Sequence, residues 1–507
     1  MVCKKLASIT TVFLLVCSSF TGIHPSKNNE SHWFTAQFEN VLGTSMDIAV
    51  QTRSELIADK ATEIAIAEIK RLSVILNSYN SESELSKWTK TRGIPVKVSA
   101  DLMEVMQLFD QWNLQTDGAI QAGYEEIANV WKGAAAKKQR PDAAILEEAT
   151  RKAQQQHWQL DPSAKTAIHL TDVPLVFNSF TKSYIIQKAV RAAKNLPGVL
   201  SINLNIGGDA VVAGDEAAEL PITNPFHAAA NDAPLATIHV SNKAVATSGN
   251  YRRGFTLLGK WYSHIIDPRT GMPAEEIVSA TVVAQDAVVA GALATAFTIL
   301  LPEQSKQLAA RYSGVAYLLV DKNGNKITSD NWTEDAPATI QSNALLDHVM
   351  ADQGWNKGYT LQIDLEVARV SEQFVHRPFV AVWVQDANQK PIRLLSVWFN
   401  KPKWLRDLRE FFKNYGANFS PGAFSMSAAS GATRSAGKYS IVWDGKDEAG
   451  NYVPPGTYSI QIEAAREHGT YQIMSGNIEC SKKPTTISIP GNIEIAGATL
   501  SYINTAK

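Results

Sequence analysis

Apolar side chains recur at helical spacing in three stretches of the chain. Between Ser54 and Leu76 they return every three to four residues, which predicts one long amphipathic helix. A second helix is predicted from Ala100 to Gln115. The segment from Asp286 to Leu301 consists mostly of small and apolar residues, and a helix of that composition must be buried on most sides.

Strands are predicted where apolar and polar residues alternate. The alternation runs through His32 to Val50, with a turn at Leu42-Gly43-Thr44, and again through Ile202 to Ile206. After a Gly-Gly-Asp turn the second run resumes at Ala210 to Val212. Because helices and strands are mixed along residues 32–335, this part of the chain is predicted to be one α+β domain.

The character of the chain changes after about residue 343. Aromatic and β-branched residues dominate short runs such as Phe379 to Val384 and Leu394 to Phe399. Two further runs, Tyr439 to Trp443 and Thr457 to Ile462, flank a loop rich in turn formers. Closely spaced strands of this kind predict an all-β, immunoglobulin-like sandwich over residues 355–495, with a boundary between 335 and 355.

The N-terminal residues have the pattern of a secretory signal peptide. Two lysines precede an apolar stretch from Leu6 to Val16, and small residues follow, so residues 1–22 are predicted to be removed on export. Two alternatives remain: a lipoprotein acylated at Cys17, which would be a membrane anchor, and a buried N-terminal helix. The favoured location is the periplasm or another exported compartment. After cleavage Cys480 remains alone, so no intramolecular disulfide is expected.

Length and charge set further bounds. At 507 residues the chain is too long for one ordinary core, and two or three domains are expected. Charged residues make up 19% and the formal net charge is −1, so there is no electrostatic reason to expect nucleic acid as a partner.

Candidate chemistry is concentrated between residues 247 and 271. Thr247, Ser248 and the backbone around Gly249 supply hydrogen-bond donors, and Arg252 adds positive charge, so a loop at this point is suited to a phosphate group. His264 is a candidate general base because imidazole titrates near neutral pH. Taken alone, the following Asp-Pro-Arg-Thr-Gly string favours the other interpretation, a structural turn beside a surface histidine.

The motifs together resemble a known family. Gly207-Gly208-Asp209, Thr247 to Arg252, His264 to Gly271 and Ala294-Thr295-Ala296 stand in the order seen in the ApbE family, the FAD:protein FMN transferases. The resemblance covers roughly residues 32–320, and it implies a T-fold-type α+β domain. It also implies the reaction: FAD is cleaved at its pyrophosphate, and FMN passes to a Thr or Ser hydroxyl of a target protein, with magnesium neutralising the phosphates.

The resemblance assigns roles to individual positions. His264 is the candidate base, and Ser179 and Thr295 are the candidate magnesium ligands. Contacts with FAD are implied for a larger set, namely Leu42, Tyr79, Ala119, Ile120, Gln121, Lys182, Thr247, Ser248, Gly249, Arg252 and Ile265.

Several acidic residues of the family pattern are replaced in this chain. The family places an Asp one helical turn before the Thr, and here that position is Gly291. Three other acidic positions are Val176, Gln121 and Gln187, and Ser183 stands for a glycine. Since magnesium usually takes at least one carboxylate ligand, these changes put metal binding in doubt, although Asp286 is a possible substitute on another part of the helix surface.

Two hypotheses for function follow. The first is a periplasmic FAD:protein FMN transferase acting on an exported redox protein. The second is a flavin-binding or structural accessory protein of a redox system that has lost turnover. A hydrolase has no support, since no nucleophile–base motif accompanies His264.

The second domain resembles an uncharacterised β-rich domain that often follows an ApbE domain. It contains Ser430-Gly431-Ala432-Thr433, which is similar to the acceptor string of the family's reaction, with Ser427 where an Asp is usual. Two interpretations stay open: Thr433 accepts FMN, or the string is an ordinary surface loop.

Overall fold

The computed structural model describes residues 30–226, 234–251, 253–334, 355, 358–399, 402–416, 430–431, 433–467, 469–481 and 483–504. The predicted signal peptide, Cys17, Arg252 and most of the predicted domain boundary lie outside these ranges. Within them, no helix combines the length and the apolar character that crossing a membrane requires.

In the described residues, all α-helices but the last lie before residue 328, interspersed with strands. In chain order they are α1 (Glu55–Leu76), α2 (Glu84–Trp88), α3 (Ala100–Gln115), α4 (Glu125–Ala136), α5 (Ala143–Ala153), α6 (Thr181–Lys194), α7 (Ala287–Ile299), α8 (Pro302–Ala309) and α9 (Arg409–Tyr415).

The strands up to residue 328 are β1 (His32–Val41), β2 (Thr44–Thr52), β3 (Pro95–Lys97), β4 (Trp158–Asp161), β5 (Thr166–His169), β6 (Ser201–Ile206), β7 (Asp209–Ala213), β8 (Ala218–Ile222), β9 (Ala236–Val240), β10 (Lys243–Gly249), β11 (Gly254–Leu257), β12 (Lys260–Ser263), β13 (Ile277–Ala284), β14 (Ala316–Asp321) and β15 (Lys326–Thr328). The later strands are β16 (Tyr359–Val367), β17 (Val375–His376), β18 (Phe379–Gln385), β19 (Pro391–Trp398), β20 (Ser430–Gly431), β21 (Gly437–Trp443), β22 (Gly456–Ala465), β23 (Tyr471–Cys480), β24 (Thr485–Pro490) and β25 (Ile495–Asn504).

The three predicted helices form, and their ends follow from local chemistry. α3 has the predicted bounds, and Ser99 caps it by accepting a hydrogen bond from the Leu102 amide. Asp286 caps α7 in the same way through the Val289 amide, so it precedes that helix instead of opening it. α7 is buried along nearly its whole length, as its composition requires.

A nine-stranded sheet forms the centre of the first part of the chain, in the order β15-β14-β13-β10-β7-β6-β2-β1-β17 within the described residues. Helices α1, α6 and α7 pack against one face, where Ile48, Leu204 and Ala246 are buried. The short pair β8–β9 covers part of the other face around Val212 and Val245. The predicted α+β class is therefore confirmed.

Several predicted site segments meet at one end of this sheet. The β1–β2 turn lies beside the β6–β7 turn, because Met46 at the start of β2 pairs with Ile206 at the end of β6. β10 runs past the same end, since its pairing with β7 stops at Val245 while the strand continues to Gly249. α7 returns antiparallel to β13 and brings its second half toward this end, which we call the site end.

The later strands form two facing sheets, in the orders β21-β16-β25-β24 and β20-β19-β18-β22-β23. Their inner faces bury Ile363, Trp443 and Tyr502 from one sheet and Val382 and Ile462 from the other. The predicted β-sandwich is thus present between residues 359 and 504.

The sandwich and the first sheet are joined by a strand ladder and ion pairs. β17 pairs with β1 through Phe38–His376 and Glu39–Val375. Next to this ladder Arg377 is buried and bonds to Glu39 and Asp47. We call this region the junction.

Thr433 lies at the junction, which corrects its expected accessibility. Its side chain is 3% exposed, and its hydroxyl donates a hydrogen bond to the Gln37 side chain. An acceptor of FMN must present a free hydroxyl to the enzyme. The expectation that Thr433 is exposed is therefore wrong, because tertiary packing covers a residue that looks accessible in the sequence.

Candidate functional site

The site end of the sheet brings the start of α6 against the second half of α7. The Thr295 hydroxyl donates a 2.8 Å hydrogen bond to the carbonyl oxygen of Ser179, which stands just before α6. Asn178, the residue before Ser179, donates a 2.6 Å hydrogen bond to the hydroxyl of Tyr79. Tyr79 is 72% exposed. The two predicted metal ligands and one predicted flavin contact therefore share one cluster.

Lys182 faces the β6–β7 turn from the first turn of α6. Its ammonium nitrogen lies 3.3 Å from Oδ1 of Asp209 and donates a 3.4 Å hydrogen bond to the Gly207 carbonyl. The other carboxylate oxygen of Asp209 accepts a 2.8 Å hydrogen bond from the buried Ser183 hydroxyl. The Asp209 carboxylate is thereby held by two consecutive residues of α6.

Gly291 packs directly against Ser183. A β-carbon at position 291 would lie 3.0 Å from Cβ of Ser183, closer still to its hydroxyl oxygen, and 3.4 Å from Cα of Phe180. The two distances to Ser183 are too short for an alanine, and a longer carboxylate side chain would likewise require displacement of Ser183. The lack of a side chain at position 291 therefore makes room for the side chain of Ser183.

The other replaced acidic positions have structural partners of their own. Gln187 accepts a 2.7 Å hydrogen bond from the Ala287 amide and donates a 2.9 Å hydrogen bond to Asp286. It therefore helps to hold the N-terminus of α7. Val176 is buried, and its amide donates to the Ala122 carbonyl.

The donor set around Ser179 and Thr295 does not fit magnesium as a resident ion. Two ligands of Mg²⁺ at right angles and 2.0–2.1 Å from the ion lie about 2.9 Å apart, so the 2.8 Å between these two oxygens is suitable. The site lacks a carboxylate that is available as a third ligand. Asp209 is paired with Lys182, and both oxygens of Asp286 accept hydrogen bonds at the far end of α7. Across the described part of the chain, no three His, Cys, Asp or Glu side chains lie close enough to hold a metal.

Thr247, Ser248 and Gly249 form the end of strand β10 and not the expected loop. They pair with Thr281, Ala280 and Ser279 of β13, and the Thr247 hydroxyl lies 3.0 Å from that of Thr281. The pattern was mistaken for a loop because its small polar residues are also common in turns. Since the pairing with β7 ends at Val245, the opposite edge of this segment extends past β7 at the site end.

The segment Ala119-Ile120-Gln121 is a tight turn after α3. The side chains of Ala119 and Ile120 are buried, and the Ile120 amide and carbonyl are bonded to Thr116 and Asn113. Gln121 caps the short helical turn that follows it. Leu42, in the β1–β2 turn, is half-buried and has a positive φ of 51°.

His264 follows β12 in a segment braced against the helices of the first domain. Arg269 pairs with Asp267 at 2.8 Å and packs beside Gly118, and the Gly271 carbonyl accepts a hydrogen bond from Trp131. This bracing holds the backbone that carries His264 and the half-buried Ile265.

The His264 ring is in a state suited to accept a proton. Nδ1 lies 3.0 Å from the Arg253 carbonyl, and a carbonyl only accepts, so in the neutral ring Nδ1 carries the hydrogen and Nε2 has the free lone pair. His264 is exposed to solvent, yet many protein atoms surround its ring. The resulting desolvation lowers the pKa of His264. The hydrogen bond to the Arg253 carbonyl acts against this, and the Arg253 charge lowers the pKa further.

Three residues of the cluster, Asn178, Ser183 and Asp209, have no role assigned to them from the sequence. Asp209 belongs to the Gly-Gly-Asp motif, which is a usable signal. Ser183 was noted only as a departure from the family pattern. Arg252, a predicted phosphate contact, lies outside the described residues.

Known proteins match both parts of the chain. Residues 42–319 match the model of the ApbE family, and residues 360–497 match one described as a predicted periplasmic protein (DUF2271). The FAD:protein FMN transferase of Haemophilus influenzae is 26% identical over 294 residues, which cover 54% of this chain and 82% of that protein. The Escherichia coli K12 protein of the same description is 26% identical over 262 residues, 50% of this chain and 74% of that one.

Solved structures share the fold of the first part. The ApbE protein of Thermotoga maritima aligns with a TM-score of 0.52 at 22% identity, covering 59% of this chain and 97% of that one. The flavinyl transferase ApbE of Pseudomonas stutzeri in its apo form aligns with a TM-score of 0.50 at 23% identity, covering 59% and 94%. Because the matched family region spans more than half of the 507 residues, the chain belongs to the ApbE family.

Proposed function

We propose that this protein is an FAD:protein FMN transferase. It takes FAD as substrate and attaches FMN through a phosphoester to a Thr or Ser hydroxyl of an exported redox protein. The observation that carries the proposal is the cluster of Lys182, Thr295 and Tyr79 at the site end, which lies within residues 42–319, the part of the chain that matches the ApbE family model.

The proposed reaction uses groups of this chain. Nε2 of His264 takes the proton of the acceptor hydroxyl, and the oxygen attacks the phosphorus of the FMN half of FAD. The bond from that phosphorus to the bridging oxygen breaks, and AMP leaves with the bridging oxygen. The proton passes from His264 to solvent. Lys182 supplies positive charge beside the phosphates, and the edge of β10 at Thr247 to Gly249 offers polar backbone groups.

Magnesium has no assigned step in this proposal. In the family, as the resemblance implies, the ion neutralises the phosphates. The oxygens of Ser179 and Thr295 are the positions that would hold it here, and the carboxylate that the described cluster contains, Asp209, is paired with Lys182 instead of being free for a metal.

The proposal is tested by incubating the purified mature protein with FAD and a peptide that carries the family's acceptor string. AMP is measured by chromatography, and the peptide mass is followed for the addition of FMN. We expect equal amounts of AMP and modified peptide. The absence of FAD binding would overturn every flavin-based function for this chain.

A second candidate is a flavin-binding accessory protein without turnover. It is favoured by one observation: residues with structural contacts stand where the family has acidic residues, namely Gly291 packed against Ser183, the buried Val176, and Gln187 at the start of α7. Tight FAD binding without AMP release in the same assay would support it.

We propose further that the chain acts in the periplasm, as the description of the family matched by residues 360–497 indicates. The supporting sequence feature is the signal-peptide pattern of residues 1–22, with a lipid anchor at Cys17 as the variant to test. The proposed domains are residues 32–335 and 355–495. Cell fractionation, with the mass of the mature N-terminus, separates a cleaved soluble form from an acylated one.

A further inference from the structure

Residue 291 lies one helical turn before Thr295, so a side chain there would point to the same face of α7. That face is closed by Ser183 and by the backbone of Phe180, 3.0 Å and 3.4 Å from the position of a β-carbon. Phe180 is the N-cap residue of α6, and a backbone atom at the N-cap of a packed helix does not move aside without disturbing the start of the helix. Space for a carboxylate must therefore come from Ser183.

Ser183 is not free to give that space. The residue is 2% exposed, and its hydroxyl donates a 2.8 Å hydrogen bond to Asp209, which is 7% exposed. Rotation of Ser183 away from Gly291 would remove one of the two partners that compensate this buried carboxylate. The other partner is the Lys182 ammonium at 3.3 Å. The Ser183 hydroxyl is thus fixed in place by the same network that positions Lys182.

We infer that Ser183 and Gly291 together exclude a divalent cation, and that this pocket binds the flavin nucleotide with no divalent cation. This deepens the proposed function and rests on it for the identity of the ligand. The Thr295 hydroxyl and the Ser179 carbonyl oxygen keep a spacing suited to two ligands of one ion. Thr295 nevertheless donates its hydrogen to the Ser179 carbonyl, so the two oxygens are joined by a hydrogen bond instead of an ion. Positive charge toward the phosphates comes from Lys182.

The first test measures Mn²⁺ binding by electron paramagnetic resonance, without FAD. The proteins are the wild type, Gly291→Asp, Ser183→Gly and the double variant Ser183→Gly/Gly291→Asp. We expect only the double variant to bind one Mn²⁺, at least tenfold more tightly than the others, because it alone has both the carboxylate and the space for it. The control Ser183→Gly/Gly291→Asn has nearly the same shape without the charge and is expected to bind no better than the wild type.

Three results would overturn the inference. The first is stoichiometric Mn²⁺ binding by the wild type as tight as that of the double variant. The second is a Gly291→Asp single variant that matches the double variant, since this would mean that Ser183 excludes nothing. The third is a double variant that is folded and binds no Mn²⁺. If Gly291→Asp does not fold, the wild type, the double variant and the asparagine control still decide the question.

The second test follows FAD binding by flavin fluorescence with and without EDTA. The wild-type affinity is expected to stay within twofold, whereas that of the double variant should fall at least tenfold when the cation is removed. A tenfold loss in the wild type would contradict the inference. If the wild type binds no FAD at all, the proposed function fails, and the Mn²⁺ measurement still stands on its own.

Discussion

Nε of Arg377 donates a 2.8 Å hydrogen bond to Oε1 of Glu39, although the two residues are 338 positions apart in the chain. Arg377 is 7% exposed, and Asp47 accepts from the same guanidinium. The residue before it, His376, pairs with Phe38 in the ladder between β17 and β1. One buried cation therefore joins the edge of the first sheet to the chain that enters the sandwich.

We predict that Arg377→Ala destabilises the protein by about 3 kcal/mol or more, because it leaves two carboxylates at the junction without their cation. Urea unfolding followed by fluorescence should show a lower midpoint and a separation of the two halves into distinct transitions. The matched control is Arg71→Ala, since Arg71 also pairs with two carboxylates but its side chain is 47% exposed. Its cost should be below about 1 kcal/mol. Equal losses of stability in the two variants would mean that the ion pairs of Arg377 stabilise the protein no more than those of the more exposed Arg71.

We predict that His264→Ala abolishes transfer of FMN while FAD affinity changes less than threefold. A base acts on the acceptor hydroxyl, so its removal should affect turnover more than nucleotide binding. Turnover is measured as AMP release, and affinity by fluorescence. If the variant loses binding but turns over what it binds at the normal rate, His264 belongs to nucleotide recognition.

The pH dependence of the wild type follows from the direction of the His264 shift. Desolvation and the Arg253 charge lower the pKa of this ring, so the neutral, proton-accepting form persists to lower pH than in an ordinary histidine. We expect kcat/KM to rise with pH on an acid limb whose midpoint lies below about 6.5, and to be constant around neutrality. A midpoint above that value would show that another group controls the rate.

Sequence patterns were sufficient to predict the elements in which apolar side chains recur at regular spacing. α3 and α7 were predicted almost to the residue, because a helix that buries one face or all faces needs a regular spacing of apolar residues. The junction could not be predicted in this way. β17 has two residues, too few for any period, and its partner is more than 300 positions away.

The candidate site, too, could be predicted from the sequence only in part. The motif order pointed to Ser179, Lys182 and Thr295, which lie in one cluster. Ser183 and Gly291 were noted as two separate departures, and their dependence on each other becomes visible only when α6 packs on α7. Thr433 was mistaken for an accessible residue because small-residue strings look alike in loops and at covered junctions.

We predict that Thr433 stays unmodified in cells that contain an active flavin transferase. Its hydroxyl is buried and donates to Gln37, so the enzyme cannot reach it without opening the junction. Denaturing gels should show no flavin fluorescence, and the mass spectrum should contain the unmodified peptide. As a control, an Asp-Xaa-Xaa-Ser-Gly-Ala-Thr tag after Lys507 should become fluorescent in the same cells. A flavin-bearing Thr433 peptide would show that the junction opens.

The last prediction separates a binding role of Lys182 from a purely structural one. Asp209 competes with any phosphate for the Lys182 ammonium, which lies 3.3 Å from its carboxylate. If Lys182 contacts the nucleotide, Lys182→Met should weaken FAD binding about tenfold or more, since a charge-assisted contact is lost. Asp209→Asn keeps the shape, still accepts from Ser183 and frees the ammonium, so it should leave FAD affinity unchanged or raise it. Both affinities are measured by fluorescence titration at two salt concentrations, because a contact between charges weakens as salt rises. A pair that serves only the fold gives a different pattern, in which both variants lower the thermal stability and neither changes the FAD affinity of the folded protein.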